Sequence, residues 1–106
     1  ATDAKASVLG VDAGLLARAG AVDAEVARQM AAGVRRLFAA GIGLSTTGVA
    51  GPTEQDGKPV GLVYVACSSG ESAPATTELR LDGDREAIRA QTVLRTLALA
   101  LSTFEV

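Results

Sequence analysis

The stretch Ser45-Thr46-Thr47-Gly48-Val49-Ala50-Gly51-Pro52 combines three hydroxyls with small residues and two glycines. Small residues let backbone N–H groups approach an anion or a carbonyl oxygen closely. The stretch leaves a short expected strand at its C-terminal end, where open α/β sheets bind ligands. A glycine-rich turn with no ligand would show the same local pattern. It is not a Walker phosphate loop, because no Gly-Lys-Ser/Thr follows. A second candidate is Asp82-Gly83-Asp84-Arg85. It puts Arg85 in the first turn of an expected helix, where N–H groups and the dipole favour anions. A cation there needs a partner, either an anionic ligand or one of Asp82, Asp84 and Glu86. Lys5 is the third candidate, as a general base. A lysine serves as a base only in a desolvated pocket or beside other cations, and on a short helix it is commonly just solvated.

The residue inventory limits the chemistry further. The chain has no His, which excludes a Ser-His-Asp triad, a Cys-His pair and a His-ligated metal within these residues. Its single Cys, Cys67, allows neither an internal disulfide nor a cysteine cluster for zinc. Cys67 follows an apolar strand and reads as a packing thiol. No cofactor and no metal are expected. A reducing, cytoplasmic setting fits this cysteine usage. Ten basic against twelve acidic residues give a net charge of −2, with aromatics at only 3%. That balance argues against a nucleic-acid or anionic-membrane surface. No apolar run reaches the roughly 18 residues of a membrane span.

The elements that must position these residues follow from periodicity and punctuation. Residues 1–9 read as a short helix with Ala4 and Val8 on one face, ended by Gly10. Asp12 caps a second short helix holding Leu15 and Leu16, with Gly20 just past its end. Asp23 caps a longer helix to about Ala39, whose apolar stripe is Val26, Met30, Val34, Leu37 and Phe38. Strands are expected over about 42–46, 60–66 and 76–81. The last two are joined by a link too short for a parallel crossover, so they form an antiparallel hairpin. Asp84 caps a final helix to about Thr103, with a stripe of Ala90, Val93, Leu94, Leu97, Leu101 and Phe104.

This order predicts an α/β fold, a three-layer α/β/α sandwich with a mixed sheet. The 106 residues are room for one domain. The chain has no initiator Met and opens inside a helical pattern, and three strands are few for such a sandwich. N-terminal strands are therefore expected to be missing.

One family resemblance fits the spacing of these motifs. Thr2-Asp3-Ala4-Lys5, Leu9-Gly10-Val11, Gly20-Ala21-Val22, Thr47-Gly48-Val49-Ala50-Gly51-Pro52, Lys58-Pro59-Val60-Gly61-Leu62-Val63-Tyr64 and Gly83-Asp84-Arg85 occur in order. Together they resemble the C-terminal domain of the competence/damage-inducible CinA family. The resemblance covers essentially the whole chain, as the larger C-terminal part (1–106) of one amidohydrolase domain. It implies deamidation of nicotinamide mononucleotide to nicotinate mononucleotide and ammonia, without a metal. The family's serine nucleophile lies in an upstream Ala-Glu-Ser-Cys-Thr-Gly-Gly segment that these 106 residues do not contain.

What the resemblance implies for individual residues is specific. Lys5 stands where the family has its catalytic lysine. Thr47 and Gly48 match the residues that hold the carboxamide and its developing oxyanion, with Thr46 beside them in the substrate site. Arg85 matches the arginine expected on the substrate phosphate. Thr2 stands where the family usually has Asn, in the substrate-binding set. Asp3 replaces a Glu, and Thr53-Glu54-Gln55-Asp56 replaces a glycine-rich stretch. The implied partners are a pyridine-nucleotide substrate and further copies of the chain in a homo-oligomer. The competing reading is a non-catalytic nucleotide-binding or assembly module.

Overall fold

The protein is described by a computed structural model over residues 2–70 and 72–103, with the side chains of residues 2–4 outside that description. The elements are α1 (Thr2–Ser7), α2 (Ala13–Ala19), α3 (Ala24–Leu37), β1 (Ile42–Gly48), β2 (Leu62–Ser69), β3 (Ala75–Arg80) and α4 (Arg85–Thr103). Each of the three expected aspartate caps forms. The Asp12 carboxylate accepts from Leu15 N–H, Asp23 accepts from Glu25 and Val26, and Asp84 accepts from Ala87. Such caps satisfy N–H groups that a helix start leaves unpaired, at roughly 1 kcal/mol each. Gly20 closes α2 at φ 76°, a conformation that glycine adopts without Cβ strain.

The sheet runs β1-β2-β3. Both pairings are antiparallel, with Gly48 opposite Val63 and Val63 opposite Leu79. The β2–β3 hairpin matches the expectation from the short link. The expected mixed sheet does not: no parallel pair occurs among the described residues, because each strand returns directly on its neighbour.

Alternation splits the sheet into two packed faces. Ser45 and Thr47 of β1 and Ala66 of β2 face α3, where Ala27 and Ala31 are buried. The Ser45 hydroxyl donates to the Ala27 carbonyl at 2.6 Å. Val63, Val65 and Leu79 face the other way and form a core with Leu81 and Ile88 of the α4 side. Ile88 is fully buried, which favours folding by about 1.5–3 kcal/mol. The three-layer α/β/α arrangement is therefore present. On its far side α3 carries α1 and α2, through a cluster of Val11, Leu16 and Val26 packed by Ala6, Leu9 and Met30.

Two apolar stripes differ from the sequence expectation. On α3, Leu37 and Phe38 are exposed, and the sheet side is built from alanines instead. The reason is close approach: a Cβ on Gly43 would run into the Ala31 carbonyl oxygen, so bulky residues cannot fit between α3 and β1. On α4, the buried side is Ile88 and Thr96, with Leu99 packed beside the core. Val93, Leu94, Leu97 and Leu101 are 58%, 67%, 52% and 67% exposed. The stripe is real, but it is not the side that packs on the core: Val93 and Leu97 border a cleft beside β1. Phe104 lies outside the described residues.

The expected element boundaries also shift. The first helix stops at Ser7, and Val8 is exposed. β1 continues two residues beyond Thr46, through Gly48. β2 begins at Leu62 and extends to Ser69, because Val60 and Gly61 belong to a turn that closes back on Val49.

Candidate functional site

Among the described residues β1 is an edge strand, and its hydrogen-bond phase decides which groups it offers. In an antiparallel ladder, alternate residues point N–H and C=O away from the partner strand. Val49 N–H donates to the Leu62 carbonyl at 2.9 Å, on the β2 side. Counting back by twos in the register, Thr47, Ser45 and Gly43 also turn toward β2. Gly48, Thr46 and Leu44 therefore turn their backbone groups to the free edge. Gly48 sits tightly against β2, since a Cβ there would lie 2.6 Å from Val63 Cγ2 and 2.9 Å from the Leu62 oxygen.

The side chains of this strand separate as well. Thr47 is buried on the α3 face, where its hydroxyl donates to the Ala21 carbonyl at 2.7 Å. Thr46 points to the opposite face and is exposed. It opens onto a cleft of about 400 Å³ between β1 and α4. Thr46 and Gly48 form one wall, Val63 and Ile88 the floor, and Arg89 and Leu97 part of the other wall. A volume of this order holds a small organic ligand. Among the described residues Arg89 is the one charged side chain lining it, and no Ser, Cys, Lys or carboxylate does.

The loop after Gly48 is fixed at several points. Gly61 N–H donates to the Val49 carbonyl and Leu81 N–H to the Gly61 carbonyl, both at 2.8 Å. Lys58 Nζ donates to the Val22 carbonyl at 2.9 Å. The Gly51–Pro52 peptide is cis. Arg85 opens α4 and donates from Nη1 to the Gly51 carbonyl at 3.0 Å. No ion pair joins Arg85 to Asp82, Asp84 or Glu86 among the described residues. Its partner is the loop itself, a possibility absent from the sequence reading.

Lys5 lies in the last turn of α1 and is half-buried. Its carbonyl accepts from Val11 N–H at 2.9 Å. No described contact joins it to Thr46, Thr47 or Gly48. The Thr2 side chain lies outside the described residues. Thr46 and Gly48 are thus brought together at the cleft, Arg85 is held on the Gly51 carbonyl and does not line it, and Thr47 is turned to the far face. Arg89 was not singled out from sequence. The available signal was its spacing of four from Arg85, which puts both on one helix face.

Tyr64 is half-buried on the α3 face, and its hydroxyl donates to Glu78 at 3.0 Å. Burial, then the Glu78 carboxylate, pushes its phenol above the ordinary tyrosine range. Among the described residues, no helix is long and apolar enough to cross a membrane.

This layered α/β architecture is shared with solved proteins. The structure of a competence-damaged protein superfamily member from Enterobacter cloacae superposes with a TM-score of 0.92 at 29% identity, covering 99% of this chain and 62% of that one. A competence/damage inducible protein from Agrobacterium tumefaciens gives a TM-score of 0.92 at 34% identity, with 99% and 65% covered. The sequence profile of the CinA C-terminal domain matches residues 1–104, and the chain belongs to that family. A CinA-like protein of Frankia casuarinae is 50% identical over 99 residues, which is 93% of this chain and 23% of that protein. A competence-damage inducible protein of Desulforamulus reducens is 51% identical over 96 residues, 91% and 23% respectively. The chain thus spans under a quarter of these curated relatives.

Proposed function

We propose that the chain forms the substrate-binding part of a nicotinamide-mononucleotide amidohydrolase. In that reaction a serine Oγ outside these 106 residues attacks the carboxamide carbon. The serine proton passes to a general base, the role the resemblance gives Lys5, and the carbonyl oxygen becomes an oxyanion. Lys5 sits on α1, beyond α3 from the cleft, and has no described contact with it. Collapse breaks the C–N bond and ammonia leaves with a proton. Water then cleaves the acyl-enzyme to nicotinate mononucleotide and regenerates the serine. The observation that carries the reading is the free-edge N–H of Gly48 beside the cleft, a fixed donor of the kind that stabilises an oxyanion. In this reading Thr46 lines the substrate site, Thr2 borders it, and Thr47 holds the Gly48 backbone in place through Ala21. Arg85 keeps donors beyond the one used on Gly51, and these meet the substrate phosphate. The setting is cytoplasmic, without a cofactor.

A second reading has an observation of its own. Among the described residues the cleft lining contains no Ser, Cys, Lys or carboxylate, which is what a nucleotide-binding or assembly module would show. Ammonia release and binding together separate the two. The 106-residue chain binds nicotinamide mononucleotide but releases no ammonia from it, because catalytic groups of this kind act as a unit. Ammonia release that Lys5→Ala abolishes would place a nucleophile within the chain and overturn this account. Absence of binding at millimolar ligand would overturn the substrate assignment.

A further inference from the structure

We infer that Arg89 joins Arg85 in selecting a nucleotide over a nucleoside in the cleft. The inference rests on the proposed pyridine-nucleotide reading and assigns a residue to it. Arg89 lies one helical turn after Arg85 and lines the same cleft as Thr46 and Gly48. The two arginines differ in what they already hold. Arg85 spends a donor on the Gly51 carbonyl and so belongs partly to the loop. Arg89 has no hydrogen bond or ion pair among the described residues. Glu86, three residues before it on the same helix, is not in an ion pair with it.

The surroundings sharpen the assignment. The cleft floor, from Val63 and Ile88, is apolar, and so are Val93 and Leu97 on the α4 wall. The Thr92 and Thr96 hydroxyls donate back to the Ile88 and Thr92 carbonyls, so their protons are not offered to a ligand. Among the described residues the positive charge in the lining is Arg89 alone, on a wall otherwise made of apolar side chains and threonines that donate within the helix. A ligand with a flat ring at one end and a phosphate at the other matches that distribution. The guanidinium presents planar, paired donors that fit phosphate oxygens.

The test compares two ligands on the intact chain by calorimetry. Nicotinamide mononucleotide should bind the wild type roughly 10- to 100-fold more tightly than nicotinamide riboside, the range for a hydrogen bond to a charged group. Arg89→Gln should reduce that advantage and leave riboside binding within about twofold, and Arg89→Lys should restore part of it. Thermal unfolding of both variants should match the wild type, because Arg89 is exposed and unpartnered. Equal losses for both ligands, or none for either, would overturn the role of Arg89 while leaving the substrate reading standing. Inorganic phosphate is the third probe. If it binds in an Arg89-dependent way while neither pyridine ligand binds, the substrate reading fails and the anion site survives. Binding of none of the three would overturn both.

Discussion

Thr46 and Thr47, adjacent in sequence, are committed to opposite faces of β1 and to different tasks. Thr47 is buried and ties the strand to the Ala21 carbonyl at 2.7 Å, whereas Thr46 opens onto the cleft beside α4. Thr47→Val should therefore lower stability by about 1–3 kcal/mol, since it strands a buried carbonyl. Thr46→Val should leave stability within about 0.5 kcal/mol and weaken ligand binding instead. Denaturant titration of both variants, paired with calorimetry, checks the split. Equal destabilisation by the two would contradict the facing assigned here.

Gly48 is constrained by its neighbours. An added Cβ would lie 2.6 Å from Val63 Cγ2 and 2.9 Å from the Leu62 oxygen, so the ladder must shift. Gly48→Ala should cost about 1–3 kcal/mol of stability and displace the N–H offered at the free edge. Chemical unfolding reads the first effect. A variant as stable as the wild type would show that β1 and β2 are packed more loosely at this point.

Tyr64 provides a clean optical probe, because the chain has one Tyr and no Trp. Burial and the Glu78 carboxylate raise its phenol above the ordinary value of about 10. A raised folded-state value favours the protonated form in the folded protein. The resulting stabilisation is complete below about 10 and is lost as pH rises through the raised value. Phenolate absorbance should therefore appear later in alkaline titration of the folded protein than of the unfolded chain. Tyr64→Phe should remove this part of the alkaline loss of stability. Coincident folded and unfolded titrations would contradict the contact with Glu78.

The exposed apolar residues of α4 should drive association between copies of the chain. Leu94 and Leu101 are each 67% exposed, and Val93 and Leu97 lie beside the free edge of β1. Sedimentation at micromolar concentration should show a dimer or larger species, shifted toward monomer by Leu94→Glu with Leu101→Glu. A wild type that stays monomeric would contradict it.

Much of this architecture is written in local chemistry. The caps at Asp12, Asp23 and Asp84 mark helix starts because a short carboxylate reaches only the next free N–H groups. The β2–β3 hairpin follows from a link too short to cross over. What periodicity leaves open is the direction a stripe faces. The α4 leucines are equally regular whether they cover the sheet or stand free, so their exposure emerges only when Ile88 and Thr96 are seen underneath. The site was legible in its residue types and less so in its geometry. Gly48 reads as a loop residue, yet it belongs to the strand. Once β1 runs two residues further, the phase of the ladder, and with it which amide is free, is set by the pairing of Val49 with Leu62. Arg85 at a helix start calls for a partner, either a neighbouring acid or an anionic ligand, and the described partner is a carbonyl 34 residues away.

The central claim is that the free edge of β1 and the facing turns of α4 form a pyridine-nucleotide site. Amide chemical-shift mapping of the isotopically labelled chain during titration with nicotinamide mononucleotide tests it most directly. The account predicts saturable shifts at Thr46, Gly48, Arg85 and Arg89, with residues on the far side of α3, such as Leu16, unmoved. A titration that leaves Gly48 and Arg89 unshifted while the ligand binds elsewhere, or that moves no amide at all, would contradict it.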